Sequence, residues 1–485
     1  MAEIEFIDQT LRDGQQSLWG MQMRCGMALP VTPLIDRVGY QVIDFVGSSM
    51  MEILVRDFAE DPWEGLDLVV RSMPHSRIRG GLRNTGIISM SVTPDALMDL
   101  WVQRLGVHGL RSFWIYDVLH WNVDKTHRLA KVAKQFDAEV AAALMYTLSP
   151  VHSDAFYARK ASLLSDSPHV DRLIIYDTAG VLTPERARTL IPAVQAHCHG
   201  KTLEIHCHNV VGIAPQTYLQ AIELGVGIIH TCSRPLANGA SLPSIEVMAR
   251  NVRLAGHSHK IDESLLEPIA THFERVGRTA GYPLGRVNEY DLAVFEHQIP
   301  GGMTGTLRNQ LAGQGMAHRL DEVLHEVAAV RRDLGYPGMA TPFSQLVGTL
   351  AVMNVVTGKR YSVIPDEVIQ YALGHYGQPV APIDGDTLDK IMSMPRCKEL
   401  AAQPPPQPGL KELRAQFGNV PDDELILRYL IAVPFIEKMR AAGPVPRDYP
   451  VLANADLEQA RKLMNSTTAR SLAFESDTLS IALTR

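Results

Sequence analysis

Two histidines two residues apart, His206 and His208, sit in the run Leu203-Glu204-Ile205-His206-Cys207-His208-Asn209. The run is apolar and β-type, and side chains two apart on a strand project from the same side. Both imidazoles therefore come within reach of one ion, although a hydrogen-bonded pair at a strand end has the same spacing. The segment Asp8-Gln9-Thr10-Leu11-Arg12-Asp13 closes the first strand with a carboxylate beside a cation. One carboxylate, Asp13, and two neutral imidazoles leave coordination positions open, a catalytic rather than a structural arrangement for a divalent metal. Zinc, cobalt and manganese all tolerate that ligand set.

Residues so far apart need a scaffold that gathers strand ends. Short β-rich runs recur at 4–11, 42–47, 78–82, 112–118, 139–147, 172–177, 203–208 and 227–232, each followed by a longer stretch with helical apolar spacing. Helix starts are signalled by Thr32-Pro33, Asp61-Pro62, Thr93-Pro94 and Thr183-Pro184, a capping residue before a first-turn proline. Eight strand–helix units complete by about residue 256 predict an α/β fold, a TIM (β/α)8 barrel. An open doubly wound sheet is the alternative, but no glycine-rich phosphate loop accompanies it. In a TIM barrel the chemistry collects at the carboxyl ends of the strands. Those ends read Asp13, Ser48, Arg83, Asp117, Tyr146, Tyr176 with Asp177, His206 with His208, and Ser233 with Arg234. A face with a carboxylate, two histidines and two arginines suits a metal-held anion, whereas Asp117 or Tyr146 alone reads as a polar cap on the barrel.

The remainder is helix-rich, with an apolar-periodic run at 320–334, a proline-rich stretch Pro404-Pro405-Pro406-Gln407-Pro408 and a further helical part at 422–442. The expected organisation is a barrel over 1–300, a mostly helical C-terminal domain over 301–450 and a tail over 451–485. The net charge of −7, without a concentrated basic stretch, argues against a nucleic-acid or anionic-membrane partner. Cys25, Cys198, Cys207, Cys232 and Cys397 form no CxxC pair, which suits a reducing compartment. The N-terminus lacks a signal-peptide pattern and no run of about eighteen apolar residues exists to span a bilayer, so a cytoplasmic enzyme is expected.

Several stretches resemble the biotin-dependent carboxyltransferases: the transcarboxylase 5S subunit above all, the carboxyltransferase module of pyruvate carboxylase, and the oxaloacetate decarboxylase α subunit. They include Leu11-Arg12-Asp13-Gly14-Gln15-Gln16-Ser17, Glu60-Asp61-Pro62-Trp63-Glu64, Tyr146-Thr147-Leu148-Ser149-Pro150, Gln298-Ile299-Pro300-Gly301-Gly302-Met303 and Thr341-Pro342-Phe343-Ser344-Gln345. The resemblance implies a barrel with a C-terminal helical domain forming a funnel to the active site. There a divalent metal holds a 2-oxo acid of the pyruvate or oxaloacetate class, and a carboxyl group passes between that acid and biotin. It implies Asp13, His206 and His208 as metal ligands, Arg83 on the substrate carboxylate, and Gln16 in the active site. Arg12 or Arg83, with the metal, would stabilise the oxyanion that develops when pyruvate becomes an enolate. A homodimer is implied as well.

Four positions depart from that family. Tyr176 stands where the family carries a lysine that becomes a carbamate ligand, and a tyrosine forms no carbamate. Ala240, expected beside the substrate, replaces a proton-shuttling threonine, Met90 replaces a tyrosine and Val46 a tryptophan. No biotinyl attachment sequence of the Ala-Met-Lys-Met type occurs in the chain. Biotin, if used, is therefore expected on a carrier protein supplied as a separate chain. The altered positions also resemble the isopropylmalate and homocitrate synthase branch, which uses an Asp, His, His site without biotin. There Tyr176 would act as a phenolic acid or fill the space of the missing lysine. Three readings thus stand: a carboxyltransferase with a partner carrier, a biotin-independent aldolase or lyase on the same scaffold, and a non-catalytic scaffold subunit, against which the joint retention of Asp13, His206, His208 and Arg83 argues.

Overall fold

The computed structural model describes residues 1–450 apart from 89 and 314, together with 463–464, 471–475 and 480–484. Eight parallel strands close into a barrel: β1 Glu5–Asp8, β2 Val42–Gly47, β3 Ile78–Arg83, β4 Ser112–Tyr116, β5 Glu139–Met145, β6 Arg172–Asp177, β7 Thr202–Cys207 and β8 Ile228–Thr231. Closure comes from β8 lying against β1, with Glu5 opposite Ile228 and Asp8 opposite Thr231. All eight predicted strands exist. The first is shorter than expected because the chain leaves it through a π-turn, Thr10–Gly14, in which Gly14 N–H donates to Gln9 C=O. That turn lies close against the next layer. A Cβ on Gly14 would meet Leu236 O at 2.9 Å, so only glycine fits there.

Two of the four predicted caps act as such: Asp61 accepts from Trp63 N–H and Glu64 N–H, and Thr183 from Arg186 N–H. The Thr93 hydroxyl instead accepts from Ile87 N–H inside the loop after β3, and Thr32 lies within a short helix with its hydroxyl on Leu29 O.

The barrel interior is two-sided. Along β4, β5 and β6 it is apolar, built from Trp114, Ala141, Ala143, Met145, Ile174 and Tyr176, and this wall is continuous with the core of the helices covering the mouth. Those helices include Gly301–Ala312, Leu320–Asp333 and Phe343–Thr357. The buried Arg331 ties them down, donating to Thr147 Oγ1 at 2.8 Å and Leu148 O at 2.7 Å. Residues 301–450, expected as one domain, pack in two places. Leu413, Leu425, Leu427, Ile436 and Met439 join the core on the outside of the barrel, where Arg104 pairs with Asp423 at 2.6 Å. Most of the expected tail, 451–485, lies outside the described residues, but Ser471–Glu475 and Ser480–Thr484 pair as antiparallel strands, β9 and β10. Among the described residues no helix is long and apolar enough to cross a membrane.

Candidate active site

The strand-end residues that converge are those with complementary chemistry. Asp13 comes from the π-turn after β1, His206 from β7 and His208 from the residue beyond it, and their ligand atoms all lie within 4.8 Å of one another. All three are buried. Asp13 Oδ1 is 3.3 Å from His208 Nε2, and Asp13 Oδ2 is 3.7 Å from His206 Nε2. Among the described residues neither Nε2 has a hydrogen-bond partner, an expensive condition for a buried polar atom unless something else binds there. His208 Nδ1 is 2.6 Å from Ala240 O, which can only accept, so Nδ1 carries a proton and Nε2 is the nitrogen turned to Asp13. Burial opposes a charge on this imidazole, but Asp13 and Ala240 O raise its pKa. Burial works against the charge on Asp13, but His208 and Arg12 beside it hold its carboxyl well below the usual range. Two imidazole Nε2 atoms without hydrogen-bond partners among the described residues and one ionised carboxylate, buried and facing one another, are a donor set that fits a divalent metal with positions to spare.

Tyr176, expected where the resembled family carries a lysine, is held on both faces and at its hydroxyl. Its ring stacks on His206 at 3.8 Å between centroids and 12° between planes, with Trp114 stacked behind it at 4.7 Å. Its hydroxyl accepts from Arg12 Nη2 at 2.6 Å and donates to Asp13 Oδ2 at 3.1 Å. Burial pushes the phenol well above its ordinary pKa, so it keeps its proton at neutral pH. Burial also opposes the Arg12 charge, but Tyr176, Asp13 and Asp44 outweigh it and hold the guanidinium above its usual pKa. Arg12 lies over Trp114 at 4.9 Å and reaches Gln16 Oε1 at 3.3 Å.

These groups open onto a cavity of about 310 Å³, walled by Arg12, Asp13, Gln16, Tyr176, His208 and Ala240 among others, with Pro300, Met303 and Thr341 contributed from beyond the barrel. Arg83 is not among its walls. It lies at the end of β3, with Tyr116, which does line the cavity, opposite it in the register. Its Nη2 makes two long bonds of 3.4 Å to Ile88 O and Ser91 O, its Nε has no partner, and it forms no ion pair among the described residues. Burial pulls its pKa down.

The other strand ends do not join the site. Asp117 caps its own loop through Leu119, Trp121 and Asn122 N–H, and Asp177 does the same through Ala179, Gly180 and Leu182 N–H. Arg234 turns outward to Glu267, and Tyr146, though buried, is absent from the cavity wall. The sequence reading missed Trp114 and a buried chain, Arg79–Glu204–His230, that ends on His206. Opposite charges at strand-interior positions of β3 and β7 were the available signal.

The fold and the site together define a carboxyltransferase-like TIM-barrel enzyme with a helical cap. Residues 117–272 match the HMGL-like family and residues 294–431 the conserved carboxylase domain. The chain is 33% identical over 454 residues to a pyruvate carboxylase subunit of Methanocaldococcus jannaschii, covering 92% of this chain and 80% of that protein. It is 29% identical over 452 residues to the methylmalonyl-CoA carboxyltransferase 5S subunit of Propionibacterium freudenreichii subsp. shermanii, covering 91% and 89% of the two. The carboxyl transferase domain of Rhizobium etli pyruvate carboxylase with pyruvate superposes at a TM-score of 0.82 over 99% of this chain and 83% of that one, at 21% identity, a likeness of fold. The chain belongs to the biotin-dependent carboxyltransferase family that includes the archaeal pyruvate carboxylase subunit and the transcarboxylase 5S subunit.

Proposed function

We propose that this chain transfers or removes a carboxyl group on a 2-oxo acid of the pyruvate or oxaloacetate class, with biotin carried by a separate carrier chain. The observation that carries the reading is the triad of Asp13, His206 and His208, its two Nε2 atoms turned to a carboxylate beside the cavity. Subunit names among the relatives support a carrier on another chain. A homodimer in the cytoplasm belongs to the same proposal.

Asp13, His206 and His208 would hold the metal, and a divalent ion there supplies a Lewis acid for the 2-oxo group. Arg12 sits in the cavity wall where negative charge develops as the acid passes to its enolate, and a guanidinium already fixed by Tyr176 and Asp13 needs no reorganisation to stabilise it. Gln16 lies beside Arg12 and offers its amide to a substrate oxygen. Among the described residues Arg83 is a buried cation in no ion pair, a condition that a substrate carboxylate would relieve. Ala240 contributes a methyl and a carbonyl, so a proton-shuttling hydroxyl is absent at that position and the proton must travel otherwise. Tyr176 orders the ligands.

Ala240 and Tyr176 also support the second reading, carbon–carbon bond cleavage or condensation on the same enolate without biotin. The test is metal analysis of the purified protein together with oxaloacetate decarboxylation, assayed with and without free biotin. Bound metal with biotin-stimulated decarboxylation is expected. Bound metal without a biotin effect would favour the second reading, and decarboxylation by metal-free protein would overturn both.

A further inference from the structure

His206 is held on two sides, and the side away from the cavity has a directional logic. Its Nδ1 lies 3.0 Å from His230 Nδ1. Two ring nitrogens facing each other leave one question, which of them carries the proton. The surroundings answer it. His230 Nε2 lies 2.9 Å from Glu204 Oε2. Glu204 is bonded by both terminal nitrogens of Arg79, at 2.7 and 2.9 Å. A carboxylate paired in this bidentate way with a guanidinium offers only acceptor oxygens. The His230 proton is thereby drawn to Nε2. On the other edge, Gln9 Nε2 approaches His230 Nδ1 at 3.2 Å, and that amide is oriented by a second bond, 3.0 Å, to Asp44 Oδ2. A donor aimed at Nδ1 requires a lone pair there. His230 donates to Glu204 through Nε2 and presents its Nδ1 lone pair to His206 and Gln9 together.

We propose that His230, oriented by Glu204 and Gln9, is the positioning residue that sets His206 in the Nδ1–H tautomer and so aims a bare Nε2 at the metal site. The inference rests on the reading of Asp13, His206 and His208 as metal ligands. His208 is likewise oriented from behind, with Nδ1 on Ala240 O, so both imidazoles turn Nε2 to the same point. The device lies wholly inside the barrel: Arg79, Glu204, His206 and His230 are each fully buried. It is a polar partner behind a metal-binding imidazole, an arrangement whose loss weakens metal affinity by about 10- to 100-fold in other sites.

Two measurements test it. Cobalt(II) titration of the wild-type chain and of His230→Phe, followed by visible absorption, reads metal affinity without recourse to turnover, with thermal melting as the check on folding. Phenylalanine keeps the ring and removes the acceptor, leaving His206 Nδ1–H without a partner. Affinity should fall by about 10-fold or more, and His230→Gln, which still offers an oxygen and an N–H, should restore part of it. Equal affinity in a folded His230→Phe protein would overturn the proposal. The second measurement needs no variant: ¹⁵N-histidine NMR of the metal-free wild-type protein should show His206 protonated at Nδ1 and bare at Nε2, and the opposite tautomer would overturn it. A wild-type chain that takes up no cobalt, with His206 in the expected tautomer, would defeat the metal-site reading and leave the tautomer assignment standing.

Discussion

Replacing Tyr176 by phenylalanine separates the two roles open to a phenol at the lysine position. The variant keeps the ring and its 3.8 Å stack on His206, and removes one hydroxyl lying 2.6 Å from Arg12 Nη2 and 3.1 Å from Asp13 Oδ2. Hydrogen bonds to charged groups contribute about 1.5–3 kcal/mol each. Neither partner is left alone, because Asp13 still accepts from Ser17 Oγ at 2.8 Å and pairs with Arg12 at 3.0 Å. The expected loss is therefore that of one such bond rather than two, about 1.5–3 kcal/mol, a fall in Tm of a few degrees for a chain of this size. If the hydroxyl only ties Arg12 to Asp13, kcat for decarboxylation drops by about 10- to 100-fold, the kinetic equivalent of one such bond, and its pH profile keeps its shape. A phenol that moved the proton would cost about 10²–10⁴-fold. The geometry favours the tie, since the hydroxyl proton is already directed at Asp13 and burial keeps the phenol protonated. The assay is kcat across pH on protein whose metal content and melting temperature are measured in the same preparation. A loss of about a thousandfold or more, with a pH profile that changes shape, in fully metallated, folded Tyr176→Phe protein would refute the reasoning.

His206→Ala should abolish bound metal by elemental analysis and decarboxylation with it, while the circular dichroism spectrum stays native; activity retained in that variant would exclude the metal mechanism. The double variant Tyr176→Lys with Ala240→Thr, which restores both family residues, should raise oxaloacetate decarboxylation, and no change would favour the biotin-independent reading. Asp8 tests linkage: burial pushes its carboxyl from 3.8 to about 7, so the folded chain binds more protons than the unfolded one across that interval and this residue's contribution to stability falls as pH rises through it, by up to about 1.4 kcal/mol per pH unit. Asp8→Asn removes that slope, so calorimetry should find the variant's Tm gaining on wild type between pH 5 and pH 8; a difference independent of pH would sink the assignment.

The barrel was legible because its signal is local and repeated. Each strand announces itself by composition, and the His206–His208 spacing survives folding because β7 keeps period two up to its last residue. Asp13 was legible as a candidate ligand and less so as a position, since nothing in Thr10-Leu11-Arg12-Asp13-Gly14 signals a π-turn. Arg83 shows the limit. The sequence places it at the end of β3, where it is, but the loop after β3 folds over its guanidinium, and a loop's path depends on non-local contacts that no window of residues contains. Residues 410–442 show the same limit at larger scale, since their apolar faces read equally well as packing on the helical cap or on the barrel wall.

The charged half of the interior raises a sharper question. Arg79, Glu139, Arg172 and Glu204 bond one another across the barrel floor, with separations from 2.7 to 3.5 Å, at a depth where most barrels are filled by branched aliphatic residues. Apolar substitutes for such a group are often neutral or stabilising, so stability alone does not account for it. What an aliphatic layer could not do is impose direction. Arg79 makes Glu204 an acceptor, Glu204 makes His230 a donor on that side, and His230 makes His206 a donor on its far nitrogen, so a preference set at the barrel floor emerges at its mouth as a bare Nε2 beside Asp13. The apolar half, through Trp114 and Tyr176, fixes the plane of the same imidazole. His206 thus stands on the seam between the two halves, with its tautomer set by one and its orientation by the other.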